Sequence, residues 1–132
     1  MVNNVVKAKQ DLKTKPMINL LSDKVREEFQ KWLLNDYRIA NDKKCGYIIC
    51  TSFIDNLVPS MQYGVLVDYF DSVGIDINVH RHDRFRFDYD IKDSGNGWLL
   101  FNEYDIKGTR DEARKAAIQK ADELRNNDLQ PK

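Results

Sequence analysis

Several features that would point directly to a function are scarce in this chain of 132 residues. Its 21 basic and 21 acidic side chains give no net charge. This balance argues against wholesale electrostatic binding to nucleic acid or anionic membranes, and it leaves only a local basic patch open. No apolar run is long enough to span a bilayer, and the first residues lack the apolar core of a signal peptide. We therefore expect a cytoplasmic protein that does not bind a membrane.

Cysteine is also scarce, and the catalytic motifs that can be recognised in a sequence are missing. Cys45 and Cys50 are expected to be reduced in the cytoplasm. With His80 and His82 they supply four zinc-binding side chains, but the histidine spacing is shorter than the roughly three to five residues of structural zinc sites. No Ser-His-Asp order, nucleophile elbow or phosphate-binding glycine loop occurs. We therefore predict no metal, no cofactor and no enzymatic activity.

Acidic residues at the ends of two predicted strands leave one catalytic alternative open. Asp88 or Asp90, followed by Asp105 and Lys107, has the acidic–acidic–x–Lys layout of metal-dependent nucleases. Two carboxylates would hold a divalent ion, and the lysine would orient a water molecule. The motif is short, and charges are common at strand ends. We therefore prefer a non-enzymatic protein and keep a nuclease as the alternative.

The clearest element in the chain is a helix that begins at Thr109 and ends near residue 126. Thr109 and Glu112 form a capping box. Small apolar residues recur at helical spacing and allow close approach to a sheet: Ala113, Ala116, Ala117, Ala121 and Leu124. The side chains of the opposite face are predicted to be exposed to solvent: Arg114, Lys115, Asp122 and Arg125. Ile118 is either singly exposed or covered by another helix.

Two further helices and three strands precede this element. Ser22 and Pro59 begin predicted helices that end near residues 35 and 73, and residues 45–54 form either a strand or a buried loop. Gly64 predicts a close contact within the second helix, and Gly74 is a C-cap.

Alternation predicts strands over residues 75–80, 84–91 and 98–105, with a turn at residues 93–97. The fold class is therefore α+β: an N-terminal helix, a second helix, a three-stranded antiparallel sheet and a C-terminal helix packed on the sheet. We expect a flexible basic arm over residues 1–21, one domain over residues 22–126 and a tail over residues 127–132.

The densest basic cluster lies on and beside the first predicted hairpin: His80, Arg81, His82, Arg84 and Arg86. The interleaved aromatics Phe85, Phe87 and Tyr89 alternate to the opposite face, so they are predicted to be core and unable to stack on bases. The basic groups would bind phosphates or an acidic protein face. The competing interpretation is pairing across the strands with Asp76, Asp83, Asp88 and Asp90.

Three segments carry a resemblance to known sequences. Residues 60–75, residues 109–118 and the helix over residues 27–33 resemble a group of short uncharacterised proteins encoded by bacteriophages and prophages. The resemblance covers residues 22–126 in outline, and the strands are least alike. It implies an origin in a mobile element, but it implies no activity.

The order helix, three strands, helix resembles the double-stranded-RNA-binding domain. Residues 82–85 and 109–114 stand where that family has a turn histidine and the basic opening of its last helix. The resemblance implies that His82 approaches a minor groove and that Arg110 and Arg114 hold phosphates. Asp111 departs from the family pattern, because a carboxylate there would repel phosphate.

Together these observations favour a non-enzymatic, phage-type binding protein that docks on a host protein or ribonucleoprotein in the host cytoplasm. An inhibitor of host defence, such as an anti-CRISPR protein, is its most concrete form. The alternative is an RNA-binding module that uses Arg110, Arg114, Lys115 and His82. The sequence leaves the oligomeric state open between monomer and homodimer.

Overall fold

The computed structural model describes residues 17–35 and 57–130. A 3-10 turn, Met17–Leu20, is followed by the elements α1 (Asp23–Asn35), α2 (Pro59–Ser72), β1 (Ile75–Asp83), β2 (Arg86–Asp93), β3 (Leu99–Lys107) and α3 (Arg110–Leu129). This order confirms the predicted α+β class. The predictions for residues 1–16 and 45–54, including both cysteines, lie outside the described residues, as does the side chain of Lys107.

The three strands form an antiparallel sheet in the order β1-β2-β3. Ile77 lies opposite Ile91, and Ile91 lies opposite Phe101, so one apolar row crosses all three strands. The pairing shifts register near the first turn, both in β1 and in β2. Asp105 has a positive φ of 60°, and its N–H donates to the Asp88 carboxylate at 2.9 Å. Such irregularities bend a strand and increase its twist.

Helices α2 and α3 cover one face of the sheet and bury its apolar row. The small side chains of Ala113, Ala117 and Ala121 are fully buried, which confirms the predicted apolar face of α3. Ile118 is also fully buried, so the second of its two predicted environments is correct. The α3 helix contacts α1, α2 and the 3-10 turn as well as the sheet, and it is therefore covered on more than one side.

Helix α1 packs its apolar side against α2 through aromatic rings. The Phe29 and Tyr69 rings meet edge to face with centroids 5.3 Å apart, a favoured geometry for aromatic pairs. Met17, Ile18 and Leu21 are buried in the same core. The prediction of a flexible arm over residues 1–21 is therefore wrong at the C-terminal end of that segment. Removing these apolar side chains from water is favourable, so they pack in the core.

A network of charged side chains, which we call the interhelical network, ties α1 to α3. Arg125 donates two hydrogen bonds of 2.8 Å to the Glu28 carboxylate, and the Tyr69 hydroxyl donates a third at 2.7 Å. The hydrogen bond from Arg125 is the main cause that lowers the pKa of the Glu28 carboxyl, although burial opposes it. Asp122 accepts from the backbone N–H and the hydroxyl of Ser22 at 2.8 and 3.0 Å.

Three local predictions concern helix geometry, and two of them are wrong. Gly64 is exposed, and a Cβ at its position would meet nothing within 4 Å, so the predicted close contact is absent. Helix α3 continues to Leu129, which is partly buried against the core, and it therefore ends later than the predicted end near residue 126. The C-cap is Val73, and Gly74 follows it with a left-handed φ of 91°, so the predicted C-cap glycine ends α2 one residue after the cap itself. In the described ranges, no helix has both the length and the apolar character that crossing a membrane requires.

Candidate partner-binding groove

The first hairpin turn places an aromatic ring in solvent. The Asp83 carboxylate accepts the N–H of Phe85 at 2.9 Å, an Asx-type turn that ends the strand alternation before Phe85. The Phe85 side chain is consequently 69% exposed, whereas Phe87 and Tyr89 are buried as predicted. The prediction that Phe85 belongs to the core is wrong, because the alternation of β2 begins only after the turn.

The beginning of α3 lies beside this turn. The N–H of Gly108 donates to the Phe85 carbonyl at 3.0 Å, and Gly108 has a φ of 135° that favours glycine. Thr109 then caps the helix, because its hydroxyl accepts the N–H of Glu112 at 3.2 Å, as the capping box predicted. These contacts bring Arg110, the first residue of α3, next to the hairpin.

A groove of about 430 Å³ lies between the hairpin turn and the beginning of α3. Its cationic side chains are Arg81, Arg84 and Arg110, and all three are exposed. Phe85, Phe87, Gly108 and Thr109 complete its lining. We call this surface the arginine groove. It joins two residues of the predicted partner-binding cluster with one residue of the alternative RNA-binding set.

The remaining basic residues of the hairpin have acidic partners. His80 lies 2.9 Å from Asp90, and His82 lies 3.6 Å from Asp88. Arg86 lies 3.7 Å from the carboxylates of both Asp83 and Asp105. The competing interpretation of pairing across the strands is therefore correct for these three residues. Within the described part of the chain, Arg81, Arg84 and Arg110 make no ion pair.

The other members of the alternative RNA-binding set are engaged by the protein itself. Lys115 is only 4% exposed, and its ammonium lies 3.3 Å from the Asp111 carboxylate. The predicted wet position of Lys115 is wrong, because neighbouring elements cover that side of α3. The Arg114 guanidinium lies 4.8 Å from the centroid of the Tyr63 ring. Burial is the main cause that raises the pKa of Tyr63 to about 12.

The acidic residues considered for a nuclease are bound to neighbouring groups. Asp90 accepts one hydrogen bond from Asn78 and pairs with His80. Asp88 accepts the backbone N–H of Asp105, whose own carboxylate faces Arg86. Among residues 17–35 and 57–130, no group of three or more metal-ligating side chains is close enough to hold an ion.

A second exposed surface lies on the edge strand β3 and just before it. The large apolar side chains that it exposes are Trp98, Leu99, Leu100 and Tyr104. Their exposure shows that these side chains of β3 and the residue before it are not covered by the described elements. These are the side chains that a homodimer would bury, and light scattering on the purified protein distinguishes it from a monomer.

The arginine groove could be found only in part from the sequence. An aspartate two residues before Phe85 is a turn signal, and it would have removed Phe85 from the predicted core. No sequence signal places Arg110 beside Arg84. Comparisons of the chain with family models, with curated proteins and with solved structures found no match. Function is therefore inferred from the groove and from the residues that line it.

Proposed function

We propose that this protein is a non-enzymatic, phage-type binding protein that docks on a host protein or ribonucleoprotein through the arginine groove. Its most concrete form is an inhibitor of host defence, such as an anti-CRISPR protein, acting in the host cytoplasm. The observation that supports this function is the exposure of Arg81, Arg84 and Arg110 without an acidic partner in the described chain. The neighbouring cations are already paired.

The composition of the groove suits recognition of an anionic partner surface. Arginine presents a planar fork of donors that matches carboxylate and phosphate groups. Arginine and aromatic side chains are also the residue types that dominate the binding energy of interfaces, and the exposed Phe85 lines the groove together with the arginines. Because the protein has no net charge, this local group of cations would orient a partner without attracting every polyanion.

A capture experiment with matched charge reversals tests the proposal. The wild type, the double variant R81E/R84E and the control K24E/K31E are tagged and incubated with host lysate. The control reverses the same number of charges on exposed positions of α1. One half of each lysate is treated with nuclease. We expect a partner that the wild type and the control retain and that the groove variant loses.

The two halves of the experiment separate the kinds of partner. A protein that remains bound after nuclease treatment supports docking on a protein surface. Capture that the groove variant and the control retain equally would contradict the use of the groove. Loss of all partners after RNase would instead support the alternative RNA-binding module, which is favoured by the position of Arg110 in the same groove.

A further inference from the structure

We propose that the arginine groove binds a single strand of nucleic acid, with one base stacked on Phe85 and the backbone phosphates held by Arg81, Arg84 and Arg110. This inference rests on the proposed function, because it assigns the chemistry of the same docking site. Proteins that bind single strands combine a positively charged groove with aromatic rings on which bases stack. The exposed Phe85 ring and the three arginines present both parts of that arrangement.

The exposure of Phe85 is the observation that points to a flat ligand. Its ring is 69% exposed, although the backbone on both sides of it is held by hydrogen bonds to Asp83 and Gly108. A ring that stands on a fixed turn loses little conformational freedom when a base covers it. A base also offers a π-face to the ring, whatever its sequence.

The distribution of charge favours one strand over a duplex. The Asp90 and Asp88 carboxylates lie beside His80 and His82, and the Asp76 carboxylate accepts from Asn78 on the same strand. Arg114 and Lys115 are engaged on α3. Three exposed cations without an ion pair in the described structure, Arg81, Arg84 and Arg110, therefore lie together at the groove. Double-stranded RNA is recognised over a longer surface that spans two minor grooves.

The size of the groove and the acidic groups near it are compatible with a nucleotide. Its volume of about 430 Å³ falls within the range of roughly 300 to 1,000 Å³ typical of small-ligand sites. The nearby carboxylates already have partners within the protein. Asp83 accepts the N–H of Phe85, Asp111 pairs with Lys115, and Glu112 contacts the cap residue Thr109. Three arginines consequently face the ligand without an opposing partner.

Fluorescence anisotropy with labelled oligonucleotides tests the proposal on the purified full chain. The probes are single-stranded oligouridylate and oligothymidylate of about twelve nucleotides, a length within known single-strand sites, and a duplex of the same length. We expect both single strands to bind more tightly than the duplex. Three phosphate contacts predict a salt slope of about −2, or roughly a twenty-fold loss of affinity between about 50 and 200 mM salt.

Substitutions at the ring separate stacking from electrostatics. F85L keeps an apolar side chain but removes the aromatic face, and we expect at least about a five-fold loss of affinity with an unchanged salt slope. F85W keeps the face and should retain binding, and its indole fluorescence should be quenched by the bound base. M61A removes another exposed apolar side chain and is the matched control, which should bind as the wild type does.

Substitution of an arginine gives the complementary pattern. R84A should weaken binding and reduce the magnitude of the salt slope by about 0.7, the amount expected for one lost contact to a single strand. K24A, on α1, should change neither quantity. Circular dichroism of each variant shows that the fold is retained.

Three results would overturn the proposal: no single-strand binding at the lowest salt, equal binding of the duplex, or unchanged affinity in F85L. Groove-dependent capture of a protein after nuclease treatment, together with any of these results, would leave the proposed docking function standing. Absence of that capture, together with base stacking on Phe85, would reject docking on a protein and retain the nucleic-acid site.

Discussion

Two clusters of charged side chains in this protein differ in whether their cations have acidic partners within the chain. In the interhelical network, Arg125 makes two hydrogen bonds to Glu28, and both side chains are less than a third exposed. In the arginine groove, Arg81, Arg84 and Arg110 are exposed and make no ion pair in the described chain. The first cluster therefore contributes to the fold, and the second is available to a partner.

This difference shows which charged residues should affect stability and which should affect binding alone. A charge that has left water is costly unless it keeps its partner, so the loss of one member destabilises the folded state. A fully solvated arginine loses nothing on folding and contributes little to stability. The same substitution, arginine to alanine, should therefore lower the stability of the fold at Arg125 and leave it nearly unchanged in the groove, where it should weaken binding.

The largest expected effect on stability is at Arg125. Arg125→Ala leaves the partly buried Glu28 carboxylate with only the Tyr69 hydroxyl as a donor, and we expect a loss of about 2 to 3 kcal/mol in the free energy of unfolding, as for hydrogen bonds to charged groups. Urea denaturation followed by circular dichroism measures the loss. Stability equal to that of the wild type would show that the interhelical network does not support the fold.

A smaller loss is expected at Asp122, which is 8% exposed. Asp122→Ala leaves the N–H and the hydroxyl of Ser22 without their acceptor, at a cost of about 1 to 2 kcal/mol. Burial is the main cause that raises the pKa of the Asp122 carboxyl. Asp122→Asn keeps an acceptor oxygen and removes the buried charge, so it should cost less than alanine in the same denaturation experiment. A greater loss for asparagine would contradict this order.

The pH dependence of stability sharpens the comparison further. The pKa of Glu28 is lowered in the folded state, chiefly by Arg125, so its ionised form stabilises the fold above the ordinary value of 4.5. That contribution is lost as the pH falls through the lowered folded value. The difference in unfolding free energy between wild type and Glu28→Gln should therefore shrink between about pH 7 and about pH 3. A constant difference would show that the charge of Glu28 is not the cause.

The smallest effect on stability is expected in the groove. Arg84→Ala should change the free energy of unfolding by less than about 0.5 kcal/mol, as exposed substitutions away from structural contacts usually do. The same denaturation series that contains Arg125→Ala measures it. A loss comparable to that at Arg125 would break the comparison, because it would show that Arg84 supports the fold.

Much of the fold was predictable because its signals are local. The N-cap at Thr109, the left-handed glycine at the end of α2 and the alternation of Phe87, Tyr89 and Ile91 depend on neighbouring residues, and the structure has all of them. One prediction was wrong because a residue was grouped with the wrong neighbours in the chain. Phe85 was assigned to the alternation of β2, although the Asp83 carboxylate makes it part of a turn.

The candidate site was predictable only as a set of residue types. From the sequence, Arg81 and Arg84 were assigned to one binding cluster and Arg110 to another, and the two clusters were alternative predictions. The groove joins them because Gly108 hydrogen-bonds to the Phe85 carbonyl and starts α3 beside the hairpin. A contact between residues so far apart in the chain leaves no periodic pattern to read.

The sequence by itself determined the order of helices and strands, because periodicity and capping act over a few residues. Only the tertiary structure decided which charges are free. The face of α3 that carries Lys115 and Asp122 was predicted to be wet from its helical spacing, but α1, α2 and the 3-10 turn also contact that helix. Exposure depends on what packs against a side chain, and that packing is decided by the whole fold.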